Sequence, residues 1–222
     1  MSNPTCKIQA MNYIRDAIVK GELTAGEHIK EIYIAETLKI SRAPVREAMA
    51  ELCTMGLLQS EPHKGITVAS PTSKRIMDVY TLNGVLEGYG VSQTIHLLED
   101  RDFRQMECLI EEIKELAYGS GDLDKISDLD FEFHDTLLSK VDNQALLGVV
   151  HKFYRSAEHL LLYHQWVQAD APKVFYARHK ELYDAACTRD PVRVEEALRD
   201  HYHKFGKYLA QFGSDMVGRK EV

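Results

Sequence analysis

The chain has 222 residues, enough for one large or two small domains with a buried core. Its composition, 45% hydrophobic and 27% charged, is that of a globular protein, and no stretch approaches the ~18 consecutive apolar residues of a membrane span. Formal net charge is −7, yet residues 1–72 carry 8 basic and 8 acidic side chains against 19 and 26 in the remainder, so all the excess negative charge lies in the second part. A polyanionic partner would be repelled there and must meet the neutral first part.

The N-terminus, MSNPTCKIQAM, has no apolar run after a basic start, so neither signal peptide nor membrane anchor is expected, and the location expected is the cytoplasm. Cys6, Cys53, Cys108 and Cys187 form no CxxC pair. They are expected as reduced, buried thiols.

In chain order, residues 7–20 place Ile8, Met11, Ile14 and Ile18 at helical spacing, and Gly21 ends the run. GELTAGEHI has two glycines and no period, which predicts a loop. EIYIAETLKI predicts a short helix with Ile32, Ala35 and Leu38 as its apolar stripe. Ser41 opens a further helix to about Met55, closed by Gly56. LLQSEPHKGITVAS alternates weakly around Pro62–Gly65 and predicts a two-stranded hairpin. Three helices and a hairpin within the first 72 residues outline a winged helix-turn-helix. Residues 73–222 read as helical throughout. Breaks near 99–102, 119–122, 142–143, 168–172 and 190–191 predict an antiparallel bundle of six or seven helices.

The helix opened by Ser41, SRAPVREAM, breaks a local rule. Ser41 can accept from backbone N–H groups of the first turn, and Pro44, the third helical residue, costs no intrahelical bond. Val45, Ala48, Met49, Leu52 and Met55 follow i, i+3, i+4, i+7 and form the buried stripe. Arg42 and Arg46 are i, i+4 neighbours beside that stripe, so they repel each other by roughly 0.2–0.5 kcal/mol. They also occupy the helix end whose dipole disfavours cations. An external anion resolves both conflicts. DNA supplies one, because a recognition helix enters the major groove by its N-terminal residues and arginine forks onto guanine O6 and N7 or onto phosphate. The plainer alternative pairs the two arginines with Glu47 or with another helix.

Residues 13–69 resemble the DNA-binding domain of the GntR family of bacterial transcription regulators. The resemblance lies in IVKGELTAG, the helix after it, SRAPVREAMAELCTMGL and the glycine-tipped hairpin. It implies that Arg42 and Arg46 contact bases or phosphates, that Ser41 and Ala43 sit at the groove, and that Lys64 and Gly65, joined by His63, form the wing tip. Some members carry an arginine where this chain has Ile32, so that contact is absent.

Eight of the ten histidines lie beyond residue 90. In SDLDFEFHDTLL, Asp130 and His134 are i, i+4 on one helix and share a face. Asp190–Pro191 marks a turn between two helices. His179 lies 11 residues before Asp190 and His201 lies 11 after it, so an antiparallel hairpin brings them level. One carboxylate and three imidazoles inside a bundle suit a divalent transition metal.

Residues 73–214 resemble the all-helical ligand domain of the FadR branch of that family, the FCD domain. The matching positions are Asp130, Phe133, His134, Asn143, His179 and His201. The resemblance implies Zn, Ni or Mn beside a small organic acid. The family often places an arginine four residues before the glutamate that is Glu87 here. Asn83 stands at that position. Either the metal with Arg155 or Arg178 takes over the charge of the effector, or the effector is not a simple carboxylate.

The resulting expectation has two domains, 1–72 binding DNA and 73–222 binding an effector and dimerising. The function expected is a ligand-responsive regulator, a repressor, working as a homodimer on double-stranded, pseudo-palindromic operator DNA. It is not an enzyme. Two alternatives stand beside it. The helical domain is a dimerisation scaffold whose histidines are incidental, or the adjacent His134–Asp135 pair belongs to a metal-dependent hydrolase.

Overall fold

In a computed structural model, residues 5–61, 65–119, 123–153 and 171–215 are described. They divide into two compact units. One holds the described residues up to Thr72 together with 213–215, and the other holds the described residues of 73–212.

The first unit contains α1 (Cys6–Val19), α2 (Glu31–Leu38), α3 (Arg42–Thr54), β1 (Leu58–Glu61) and β2 (Gly65–Val68). Thr5 caps α1, its hydroxyl accepting from Ile8 N–H at 3.4 Å. Gly56 at φ +80° turns the chain out of α3, a conformation that side chains with a Cβ resist. The strands pair antiparallel with Leu58 opposite Val68 and Glu61 opposite Gly65. Ile14, Ile18, Ile34, Val45, Ala48, Met49, Leu52, Leu57, Leu58 and Val68 form one core.

Three details differ from the sequence reading. The apolar stripe of α2 is Ile34 and Ala35, while Ile32 is 50% exposed. Ile8 is exposed too, and Ala10 and Ala17 fill the core beside Ile14. Residues 26–29 are not a free loop, because Ile29 N–H donates to Ile66 O and Val68 N–H to Glu27 O, both at 2.9 Å, along the other edge of β2.

The second unit comprises α4 (Ser73–Thr94), α5 (Asp100–Tyr118), α6 (Leu123–Leu138), α7 (Gln144–Phe153), α8 (Ala171–Cys187) and α9 (Pro191–Leu209). These six helices among the described residues, with the winged unit before them, make the mostly α fold expected from the sequence. Helix α4 ends at Thr94, ahead of the break expected near 99–102, and a 3₁₀ turn follows over Ile95–Leu97. Asn143 Oδ1 accepts from Leu146 N–H at 3.1 Å and so starts α7. Asp190 caps α9 through Val192 N–H at 3.0 Å, with Pro191 in the first turn.

Helix α4 packs chiefly along α9, and α5 packs along α6 and α8. The α4–α9 approach is close: a Cβ at Gly206 would lie 2.7 Å from Tyr80 Cβ. Residues 213–215, expected with the second domain, return to the first unit, where Ser214 bonds Pro71 O and Ser70 O at 3.0 and 3.1 Å. The cysteines are free thiols as expected, but Cys6, Cys108 and Cys187 are exposed and only Cys53 is half-buried. Small, weakly polar side chains are tolerated at such helix flanks, so cysteine alone did not mark the core. No helix among the described residues is long and apolar enough to cross a membrane.

Candidate functional site

Ser41, Arg42, Ala43 and Arg46 are all exposed at the N-terminal end of α3, while Val45, Ala48 and Met49 point inward. Ser41 is the N-cap residue, but its hydroxyl makes no capping hydrogen bond, contrary to expectation. The two arginines share one partner, Glu31, the first residue of α2. Arg42 Nε donates to Glu31 Oε1 at 2.8 Å, and Arg42 Nη2 donates to the same oxygen. Arg46 Nε donates to Oε2 at 3.1 Å and Arg46 Nη2 to Oε1 at 2.9 Å. Hydrogen bonds from Arg46, then Arg42, hold the Glu31 carboxyl at about 2, so it is ionised at neutral pH. This carboxylate offsets the repulsion expected between the arginines. On the wing, Gly65 stands at φ +83° at the start of β2; His63 and Lys64 lie outside the described residues.

The second constellation lies in the helical unit. His134 of α6, His179 of α8 and His201 of α9 are buried, and one ligand-type nitrogen of each falls within 4.8 Å of the others. Asp130 joins them: its Oδ1 lies 2.7 Å from His179 Nε2 and 3.6 Å from His134 Nε2. The far ring nitrogens are mostly occupied. His179 Nδ1 bonds Phe175 O at 2.9 Å, which places that hydrogen on Nδ1 and leaves Nε2 facing Asp130. His134 Nδ1 bonds Glu87 Oε1. Tyr202 donates to Glu87 Oε2 at 2.7 Å. Phe133 is fully buried against the His179 ring, with centroids 5.4 Å apart.

Charges in the cluster differ. Burial lowers the His201 pKa well below its ordinary value, and nearby His179 and His134 lower it further, so this ring is neutral. Burial also pulls on His134, but the Glu87 carboxylate, aided by Asp130, outweighs it and raises the pKa. His201 Nδ1 is buried with no hydrogen-bond partner among the described residues. A neutral imidazole with an orphaned nitrogen, two oriented imidazoles and a carboxylate are a donor set that fits a divalent transition metal.

The expected effector residues separate. Glu87 is fully buried and both its oxygens are engaged, so it sits behind His134 rather than offering a free carboxylate. Asn83, one turn earlier on α4, is 2% exposed, and neither of its amide atoms has a hydrogen-bond partner among the described residues. Arg178 is half-buried with its guanidinium 5.5 Å from the centre of the Phe205 ring, and burial lowers its pKa. Arg155 lies outside the described residues. Asp135 points away from the cluster, exposed and 3.2 Å from His151, so no second carboxylate from a His-Asp pair reaches the histidines. Sequence reasoning missed Tyr202; its plainer alternative, pairing of the two arginines with another helix, is what the structure holds, but Glu31 was not named as the partner. A tyrosine next to His201 was the only local sign of the first, and the second had none.

Known families match both units. The gntR family of bacterial regulatory proteins matches residues 8–68, and the FCD domain matches residues 78–204. The chain belongs to the GntR family, in its FCD-domain branch. This GntR regulator is 27% identical over 205 residues to a probable D-xylose utilization operon transcriptional repressor of Paenarthrobacter nicotinovorans, covering 90% of this chain and 87% of that one. It is 28% identical over 143 residues to the uncharacterized regulator YdhC of Bacillus subtilis, spanning 64% of each chain. A solved structure of a GntR regulator from Rhodococcus sp. RHA1 shares its fold, with a TM-score of 0.73 at 23% identity, covering 93% of this chain and 98% of that one. The regulator is a DNA-binding transcription factor and not an enzyme.

Proposed function

We propose that this GntR regulator is a homodimeric repressor that reads a pseudo-palindromic operator through residues 1–72 and senses a small organic acid through residues 73–222. Ser41, Arg42, Ala43 and Arg46 take the major groove, and His63, Lys64 and Gly65 take the adjacent backbone. Asp130, His134, His179 and His201 hold a divalent metal, Zn, Ni or Mn. When bound, that metal supplies a Lewis-acidic position open to an oxygen of the effector. Glu87 and Phe175 O orient two of the imidazoles, Tyr202 fixes Glu87, and Asn83 and the half-buried Arg178 meet the effector. Effector binding reorients helices and changes the operator affinity of the dimer, which requires that the two DNA-affinity states bind the effector unequally.

The observation that carries the reading is the convergence of three buried imidazoles, one with an orphaned Nδ1. The protein is stripped with a chelator and reloaded with zinc, nickel or manganese chloride, and metal content and melting temperature are measured. The expected result is about one metal per chain. A hundredfold excess over Kd would add about 2.7 kcal/mol, or roughly 5–10 °C. His179→Ala removes both effects. No bound metal and an unchanged melt would leave the helical unit a scaffold.

A further inference from the structure

Glu31 carries an inference that the reading of α3 does not contain. Its side chain is only 21% exposed, whereas those of Arg42 and Arg46 are 56% and 66% exposed. The anion therefore lies beneath the two cations, with their outer edges open. Each arginine turns the same edge to it, Nε and Nη2. A guanidinium has five N–H donors, so three on each arginine, including both on Nη1, point elsewhere. The outward Nη1–Nη2 fork has the shape that pairs with guanine O6 and N7 or with a phosphate.

An isolated exposed ion pair would order little, because holding two long side chains offsets its attraction. This arrangement is different. One carboxylate fixes two cations, so each arginine meets an anion already held by the other. Removing the carboxylate frees both and restores their mutual repulsion. Three side chains also carry one net positive charge where two arginines alone would carry two. Attraction to any phosphate backbone, whatever its sequence, is reduced accordingly.

We propose that Glu31 is a positioning residue for DNA recognition: it sets Arg42 and Arg46 into one shared side-on array, and it withholds a unit of charge from sequence-independent binding. Discrimination between operator and other DNA thus depends on a residue that touches neither base nor phosphate. The inference rests on the reading that Arg42 and Arg46 contact DNA, and the experiment separates the two.

Wild-type protein selects a duplex from a random pool. Dissociation constants for that duplex and for a scrambled one are then measured by fluorescence anisotropy at fixed salt for wild type, Glu31→Gln, Glu31→Asp and Arg46→Ala. Glu31→Gln should bind the scrambled duplex about threefold more tightly, the effect of removing one carboxylate roughly 6 Å from a phosphate in water. Its ratio of selected to scrambled affinity should fall about tenfold, the discrimination of one loosened arginine–base contact. Glu31→Asp keeps the charge but withdraws it by one methylene. It should lose discrimination without gaining scrambled affinity, a split that a merely structural role would not give. If Arg46→Ala loses the selected duplex while Glu31→Gln keeps the wild-type ratio, the inference about Glu31 is overturned and the DNA face stands. If Arg46→Ala is indifferent as well, both fall.

Discussion

Replacing Gly206 by alanine tests the packing that holds α9, and with it His201 and Tyr202, against α4. The new Cβ would lie 2.7 Å from Tyr80 Cβ and 3.2 Å from Tyr80 Cγ. Carbon atoms rest about 3.5–4.0 Å apart, so the overlap is about 1 Å. Tyr80 cannot simply swing away. It is 1% exposed, and its ring meets Phe153 and Phe205 edge-on, with centroids 4.9 and 5.5 Å away. Overpacking of this kind costs about 1–3 kcal/mol. Alanine returns up to ~1 kcal/mol through helix propensity. The net expectation is a loss of about 1–2 kcal/mol, or a melting temperature lower by roughly 3–6 °C. Gly148 of α7 is the internal control, because a Cβ there meets nothing within 4 Å among the described residues. Gly148→Ala should raise stability by up to ~1 kcal/mol. Scanning calorimetry on the two variants reads opposite signs from the same chemical change. A Gly206→Ala protein that melts at or above wild type would refute the close α4–α9 contact.

Glu87→Gln keeps the shape beside His134 but weakens the acceptor, so metal affinity should drop about 10–100-fold in competition with a chromophoric chelator; an unchanged Kd would remove Glu87 from the site's support. Asp102→Asn tests the start of α5. Burial raises the Asp102 pKa, but Glu99 N–H at 2.8 Å and Lys140 Nζ at 3.1 Å outweigh it and lower the net value. A depressed carboxyl stabilises above its unfolded pKa and loses that contribution as pH falls through the folded value. Wild type should therefore exceed Asp102→Asn at pH 7 and converge with it in acid, and parallel stability curves would count against the assignment. Arg46→Ala should abolish protection of the selected duplex in footprinting while leaving the circular dichroism spectrum intact; an unchanged footprint would remove α3 from the groove.

What the sequence made legible was local. Asp190 before Pro191 is fixed by capping and the stripe Val45–Leu52 by 3.6-residue periodicity, and the structure places that helix end and that buried face there; Ser41 does stand at the N-cap, though without a side-chain capping bond. His179 and His201 could be paired because a hairpin has one degree of freedom, the turn, and Asp190–Pro191 fixed it. Contacts between distant segments left no local trace. Glu31 reaches Arg42 and Arg46 across 11 and 15 residues through the packing of α2 on α3. Glu87 lies 47 residues before His134 and 115 from Tyr202, and apart from the family resemblance nothing in α4 distinguishes it from a solvated acid. The stripe of α2 was misread for a related reason. IYIA contains two isoleucines two residues apart, and in an eight-residue helix periodicity cannot choose between Ile32 and Ile34. Packing chose for it: Ile34 joins the core with residues of α1 and α3, while Ile32 is exposed.

The most direct test of the proposed metal centre is an anomalous difference map from crystals of zinc-loaded protein collected at the zinc absorption edge. The account predicts one peak per chain, about 2.0–2.2 Å from a nitrogen of each of His134, His179 and His201 and from a carboxylate oxygen of Asp130. A peak elsewhere on the chain, or none in protein shown to be folded, would contradict it.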